Sequence, residues 1–270
     1  MQPSLLKKIK RAEKIVRRKS PCAILFSGGL DSSVLVGLAK EIGVDMMAIF
    51  FSGNHITDHE IERARNFLNH RKIKGVEIPF DPLSLNEISL NLRSRCYICK
   101  RHIISVSREQ VGERTLMEGS HNDDLKGFRP GIKALQEMGV ISPWLEVGIT
   151  KQEIKEIGRT LNIPIQDFAP RSCLLTRFPY DHHISREELN KVKKMEDLLF
   201  SHHMKNFRIR RMGKEWIIQV GEEERGLFED IKQQVLRGIR ELGIGDKISW
   251  FLTQNPSGFF DSVYTQGGGQ

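Results

Sequence analysis

The sequence predicts an α/β protein: a parallel sheet flanked by helices, followed in the chain by a smaller α+β domain. Three observations lead there. Short apolar runs alternate with helix-periodic segments through residues 1–163, the pattern of parallel strands joined by crossover helices. Residues 164–183 then carry three prolines and little periodicity. Beyond them a capped helix and two alternating strands around a Gly-Lys turn mark a second unit, 184–270.

The totals bound the class. A chain of 270 residues with 39% hydrophobic content suits one large domain or two modest ones, and no apolar run reaches the roughly 20 residues of a membrane span. The basic start of the chain lacks the apolar stretch of a signal peptide, and four cysteines are too few for a disulfide scaffold. A reducing, cytoplasmic setting without a membrane partner is expected. The formal charge of +8 suits an anionic ligand and permits RNA, without choosing between them.

Taken in order, residues 5–19 place Leu5, Ile9, Ala12 and Val16 on one helix face and Lys and Arg on the other. Residues 22–26 read as a buried strand, broken by Ser27, Gly28 and Gly29, before Asp31-Ser32-Ser33 open the next helix. Residues 45–51 and 75–80 read as further strands, with a helix over 59–69 between them. Residues 83–110 read as two helical pieces, 115–118 as a strand and 141–144 as a short extended piece. Thr150 caps a helix with Glu153 three residues on, and Ser185 does the same with Glu188. Strands at 207–212 and 215–220, a helix near 222–241 and a strand at 247–252 complete the second unit; the tail at 265–269 is expected to fray.

A strand, a glycine turn and a helix start make an anion site, because glycines admit close backbone approach and the first helical N–H groups have no internal partner. No Gly-Lys-Ser/Thr follows, so this is not a Walker loop. Ser27-Gly28-Gly29-Leu30-Asp31-Ser32 instead resembles the loop of the ATP pyrophosphatase, or PP-loop, superfamily, in which ATP is cut between its α- and β-phosphates. That resemblance implies a Rossmann-like sheet of the adenine nucleotide alpha hydrolase type. Ser27, Gly28, Gly29, Asp31, Ser32 and Ser33 would hold ATP with Mg²⁺, with Ser52 at a neighbouring strand end and Asp123 as a further ligand.

A narrower resemblance rests on Arg95-Cys96-Tyr97-Ile98-Cys99-Lys100, Asp123-Asp124-Leu125, Arg129-Pro130-Gly131, Thr150-Lys151-Gln152-Glu153 and above all residues 173–180, Cys-Leu-Leu-Thr-Arg-Phe-Pro-Tyr. Over residues 5–212 the chain resembles the LarE family, sulfur transferases that thiolate a pyridinium dicarboxylate mononucleotide. The resemblance implies ATP-dependent sulfur transfer. Cys173, Asp31 and Arg177 would be catalytic, and Arg177, Arg208 and Arg210 would hold the phosphate of a small phosphorylated acceptor.

Two sulfur routes stay open. Cys96, Cys99 and Cys173 match the three-cysteine subgroup, in which they hold a [4Fe-4S] cluster fed by sulfide or another sulfur donor; alternatively Cys173 gives up its own sulfur. Arg171 and Arg177 flank Cys173 and would favour its thiolate if they are also its neighbours in space. The other readings are a tRNA acceptor, suggested by the basic face of the first helix, and a nucleotide-binding regulator without turnover. A homo-oligomer is expected. The chain departs from the family at His121, where an asparagine is usual, and at Gln219, where a carboxylate is usual.

Overall fold

A computed structural model describes residues 2–126, 129–165, 171–245, 247–256 and 258–261. The expected frayed tail at 265–269, and residues 166–170 of the expected loop at 164–183, lie outside the described residues. The chain divides into two compact units: residues 1–52, 61–80 and 94–168 form one, and 53–60, 81–93 and the chain from 169 onward form the other.

The first unit carries a four-stranded, all-parallel sheet: β1 (Cys22–Leu25), β2 (Met46–Ser52), β3 (Gly75–Pro79) and β4 (Thr115–Met117). Their order is β3-β2-β1-β4. β1 is buried at every position, as an apolar run covered on both faces must be. From β1 the chain steps outward to β2 and β3 through α2 (Leu30–Glu41) and α3 (Asp58–His70). It then returns through α5 (Arg95–Val111) to place β4 on the other side of β1. The two halves therefore diverge between β1 and β4, and the loops leaving those strands face each other across a switch point. A ligand crevice at the carboxyl edge follows from that topology.

One face of this sheet packs Ala23, Leu25, Met47, Ile49 and Leu116 against Ile104 and Val111 of α5 and Leu135 of α6 (Pro130–Glu137). The amphipathic first helix, α1 (Pro3–Arg18), buries Leu5, Ala12 and Val16, and its Lys8 reaches Glu153 at 2.8 Å. Glu153 also closes the expected capping box with Thr150 at the start of α8 (Lys151–Thr160). The stretch at 141–144 differs from expectation: Ile141 makes only an isolated bridge to Met117, and Pro143, suited to a first helical turn, opens the short α7 (Pro143–Glu146).

In the second unit, α4 (Asn86–Ser89) lies in the segment 81–93, and α9 (Arg186–Ser201) starts from the expected Ser185–Glu188 capping box. β5 (Phe207–Met212) and β6 (Glu215–Gly221) form the expected hairpin around Gly213, whose φ of 57° suits a residue without Cβ. α10 (Arg225–Glu241) then crosses over to bring β7 (Lys247–Thr253) parallel to β6. Among the described residues no helix is long and apolar enough to cross a membrane.

Candidate functional site

The loop after β1 is wired by its own hydroxyls. Ser32 Oγ donates to the Gly29 carbonyl at 3.1 Å and lies 3.1 Å from Ser27 Oγ, while the Ser27 and Gly29 amides donate to Ser32 Oγ and Ser27 Oγ. Gly28 takes a φ of 69°, the left-handed conformation that glycine adopts without penalty. The turn thus delivers the unpaired first N–H groups of α2 to the crevice, where the helix dipole also favours an anion.

The loop after β4 closes on the same point. At Gly119 an added Cβ would lie 2.9 Å from the carbonyl carbon of Asp31 and 2.9 Å from the Ser32 nitrogen, so only glycine lets the two loops touch. We expect Gly119→Ala to displace the first turn of α2, to lower ATP turnover about 10²-fold and to lower thermal stability as well, measured by pyrophosphate release per folded chain beside a melting curve. Before it, buried Glu118 anchors the turn by accepting from the amide and hydroxyl of Ser120 and from Ser142 Oγ.

Three carboxylates and two lysines gather here. Lys151 Nζ bonds both oxygens of Asp31, at 2.6 and 2.8 Å. Asp123 accepts from Lys126 Nζ at 2.6 Å and from the Lys151 amide at 2.8 Å, bonds that hold its carboxyl below the ordinary range. Asp124 pairs with Arg129 at 2.9 Å. His121, only 6% exposed, lies 3.7 Å from Asp31, 3.9 Å from Asp123 and 3.7 Å from Asp124, too far for hydrogen bonds but central to the set. Ser52 ends β2 at the same sheet edge, with its carbonyl accepting from the Phe80 amide at 2.7 Å.

A cavity of about 350 Å³ opens beside the loop, with Ser27, Asp31 and Ser32 on one wall and Cys96, Lys100 and Arg129 among its other lining residues. Cys96, at the start of α5, is exposed. Cys99, one turn on, is more buried, and burial pushes its thiol up to about 11. Cys22, buried in β1, is likewise pushed up by burial to about 11, an inert thiol.

The second unit holds a different constellation. Arg177, Arg208 and Arg210 are buried, the side chain of Arg171 is covered beside them, and Glu196 among them has no exposed surface. Glu196 accepts from Arg177 Nε at 2.6 Å, from Arg177 Nη2 at 3.2 Å, from Arg171 and from the Ile209 amide at 3.0 Å. Arg210 donates to the Thr176 carbonyl at 2.7 Å and to Gln219 Oε1 at 3.1 Å. Burial, then repulsion from Arg177 and Arg171, pulls Arg208 down to about 8; burial and Arg177 pull Arg210 down to about 9. A guanidinium does not give up its proton in a protein, so this crowding leaves a buried excess of positive charge around Glu196.

Cys173 precedes a short 3₁₀ turn, Leu174–Arg177. The guanidiniums of Arg171 and Arg177 both pair with Glu196, a buried carboxylate that compensates their desolvation. Among the described residues no three His, Cys, Asp or Glu side chains are gathered as a metal set; Cys96 and Cys99 belong to the first unit and Cys173 to the second. Sequence reasoning missed Lys151 and Glu118. For Lys151 a signal existed, since it follows the N-cap of a helix starting at a strand edge, but its pairing with Asp31 joins distant parts of the chain.

A parallel sheet whose glycine loop and strand-end carboxylates meet at the switch point defines an α/β enzyme that handles nucleotide phosphates. Residues 21–122 match the family model described as queuosine biosynthesis protein QueC. The chain is 28% identical over 223 residues to uncharacterized protein MJ0830 of Methanocaldococcus jannaschii, covering 82% of this chain and 85% of that one. It is 27% identical over 237 residues to uncharacterized protein slr1717 of Synechocystis, covering 84% and 83%. It is also 24% identical over 225 residues to the pyridinium-3,5-bisthiocarboxylic acid mononucleotide synthase of Lactiplantibacillus plantarum, covering 82% of each. The family model and the last of these relatives together support a LarE-like PP-loop family for the chain. It is an ATP-dependent enzyme of the sulfur-transfer or nucleotide-modifying kind, using ATP with Mg²⁺.

Proposed function

We propose that the chain is a sulfur transferase that adenylylates a small phosphorylated acceptor, releases pyrophosphate and then replaces AMP by sulfur. The observation that carries this reading is the cavity shared by the Ser27–Ser32 wall and Cys96, which puts a phosphate cradle and a thiol around one space. The α2 N-terminus and Lys151 would hold the departing pyrophosphate, and an acceptor oxygen would attack the α-phosphorus. AMP on that oxygen then becomes a good leaving group for a thiolate-strength nucleophile.

Asp31 and Asp123 are the proposed ligands of Mg²⁺, their hard oxygens being donors of the kind it takes, and the ion would neutralise charge on the leaving phosphates. Arg177, Arg208 and Arg210 are the proposed seat of the acceptor's phosphate, supported by their buried positive excess. A pyridinium mononucleotide acceptor, as in the relative's name, suits that seat.

For the sulfur, Cys96, Cys99 and Cys173 are the proposed ligands of a [4Fe-4S] cluster, because three thiolates leave one iron open to an added sulfide. The pair on α5 supplies two donors one helical turn apart; the third rests on the resemblance at residues 173–180. Protein reconstituted without oxygen is expected to bind about four irons per chain. Cys96→Ala or Cys173→Ala should lose most of that iron, and Cys22→Ala should keep it. Background iron in Cys96→Ala with full single-turnover activity, and loss of the mass of H₂S at Cys173, would establish the sacrificial route instead.

A tRNA acceptor is the second reading. It is favoured by the outer face of α1, where Lys7, Lys10, Arg11, Lys14, Arg17 and Arg18 are all exposed. It predicts steep weakening of tRNA binding with salt and a large loss of activity on changing Lys7, Lys10, Lys14 and Arg18 to Glu. Unchanged turnover in that variant, with no tRNA shift at low salt, would leave the small acceptor.

A further inference from the structure

A second cavity, of about 490 Å³, lies along α3 and is separate in its lining from the one beside the loop. Arg63, Asn66, Phe67, His70 and Arg71 form one side and Asn162 the other. No carboxylate lines it among the described residues. The proposed ATP chemistry uses none of these side chains.

The cavity is built rather than incidental. Arg71 Nη2 donates to the carbonyls of Leu161 and Asn162, both at 2.8 Å, which ties α3 to the turn after α8. The same guanidinium lies 5.3 Å from the centre of the Phe67 ring. Phe67 in turn stacks on Phe26, the residue before the loop, with ring centres 5.5 Å apart and planes at 26°. Arg63 Nη2 donates to the Gly28 carbonyl at 3.3 Å. Every wall is thus fixed by packing or hydrogen bonds, two of them to the chain that forms the phosphate loop.

We propose that this cavity binds a nucleoside monophosphate unit. Its volume is of the size that holds a small ligand, within roughly 300–1,000 Å³. A guanidinium plane backed by an aromatic ring, as Arg71 is by Phe67, is a stacking platform for a base, and it is tolerant of base identity because every base presents a π-face. The amides of Asn66 and Asn162 offer both donors and acceptors to a base edge or ribose. Arg63 and Arg71 supply the positive side that a phosphate requires, with the His70 ring beside them. Hydrophobic ligands would leave these polar groups unpaired, and cations would be repelled. The unit could be a free nucleotide or one residue of an RNA strand, since both present the same base, ribose and phosphate.

The test separates those sources. With the loop site filled by a non-hydrolysable α,β-methylene ATP, AMP is titrated calorimetrically into the wild-type chain and into the double variant Asn66→Asp, His70→Asp. Both positions are exposed on α3, so the fold should survive, and a melting curve checks this. Wild type should bind AMP under these conditions, and the variant should bind at least about tenfold more weakly, because two carboxylates now face the phosphate. A short oligoribonucleotide forms the second arm. If it binds and AMP does not, with the same loss in the variant and a steep salt dependence, the unit belongs to an RNA strand. Equal affinity of wild type and variant for whichever probe binds, or no binding of either probe, would overturn the proposal. Binding is read without turnover, so failure of the sulfur-transfer reading would leave this result intact.

Discussion

Asp31→Ala should abolish pyrophosphate release while the chain stays folded. Asp31 stands in the first turn of α2, its backbone carbonyl accepts from Trp144 Nε1 at 3.2 Å, and its carboxylate is the partner of Lys151. Alanine keeps the backbone contact and removes the carboxylate, so the first turn of α2 keeps its place. What disappears is the proposed oxygen donor for Mg²⁺ and the charge that fixes Lys151 over the loop. Loss of one group that stabilises a developing transition-state charge typically costs about 10²–10³-fold in rate, and here two functions fall together. Lys151→Ala should lose less, since the helix N-terminus still meets the phosphates. A melting temperature that falls steeply in Asp31→Ala, with activity per folded chain unchanged, would assign Asp31 to structure instead.

Glu196→Gln should be the most destabilising single change in the second unit. Burial alone would raise the Glu196 carboxyl, but Arg177 and Arg171 outweigh it and hold the group down at about 2, below its ordinary 4.5. Its contribution to stability is therefore full above the ordinary value and is lost as pH falls from 4.5 towards 2. Glutamine keeps the shape and removes the charge, leaving four buried guanidiniums without their central counterion. Breaking a buried pair in this way typically costs about 3–5 kcal/mol. Denaturant unfolding at neutral pH should show that loss, and the variant should no longer lose stability through this group between pH 4.5 and 2. Added phosphate or a phosphorylated acceptor should restore part of the loss, because it supplies the missing anion.

The site in the first unit was legible because its signal is local. Residues 22–33 encode strand, turn and helix start within one short stretch, and glycine at 28 has a backbone reason that sequence alone conveys. Both capping boxes were legible for the same reason: hydroxyl and carboxylate are three residues apart. Lys151 was not read as a site residue, because its partner Asp31 is brought to it only by the fold. The membership of residues 53–60 and 81–93 in the second unit was equally hidden. It rests on contacts such as the Leu174 amide donating to the His55 carbonyl and the Ile184 amide to that of Ser89, which no periodicity reports.

The arginine cluster shows a third limit. Phe207, Arg208, Ile209 and Arg210 alternate along β5 as a half-exposed strand would, which puts the arginines in solvent. All four are buried, with Arg208 donating to the Phe207 carbonyl and Arg210 to Gln219 Oε1 and the Thr176 carbonyl. Alternation specifies two faces of a strand, but it does not say that both are covered.

The central claim is that ATP is cut at its α-phosphate in the cradle formed by residues 27–33 and the strand-end carboxylates. The most direct measurement is the identity of the products from γ-labelled and α-labelled ATP supplied to the wild-type chain with Mg²⁺ and an acceptor. The account predicts labelled pyrophosphate from the first and labelled AMP, free or joined to the acceptor, from the second. Labelled inorganic phosphate with ADP, formed by the wild type and lost in Asp31→Ala, would contradict it.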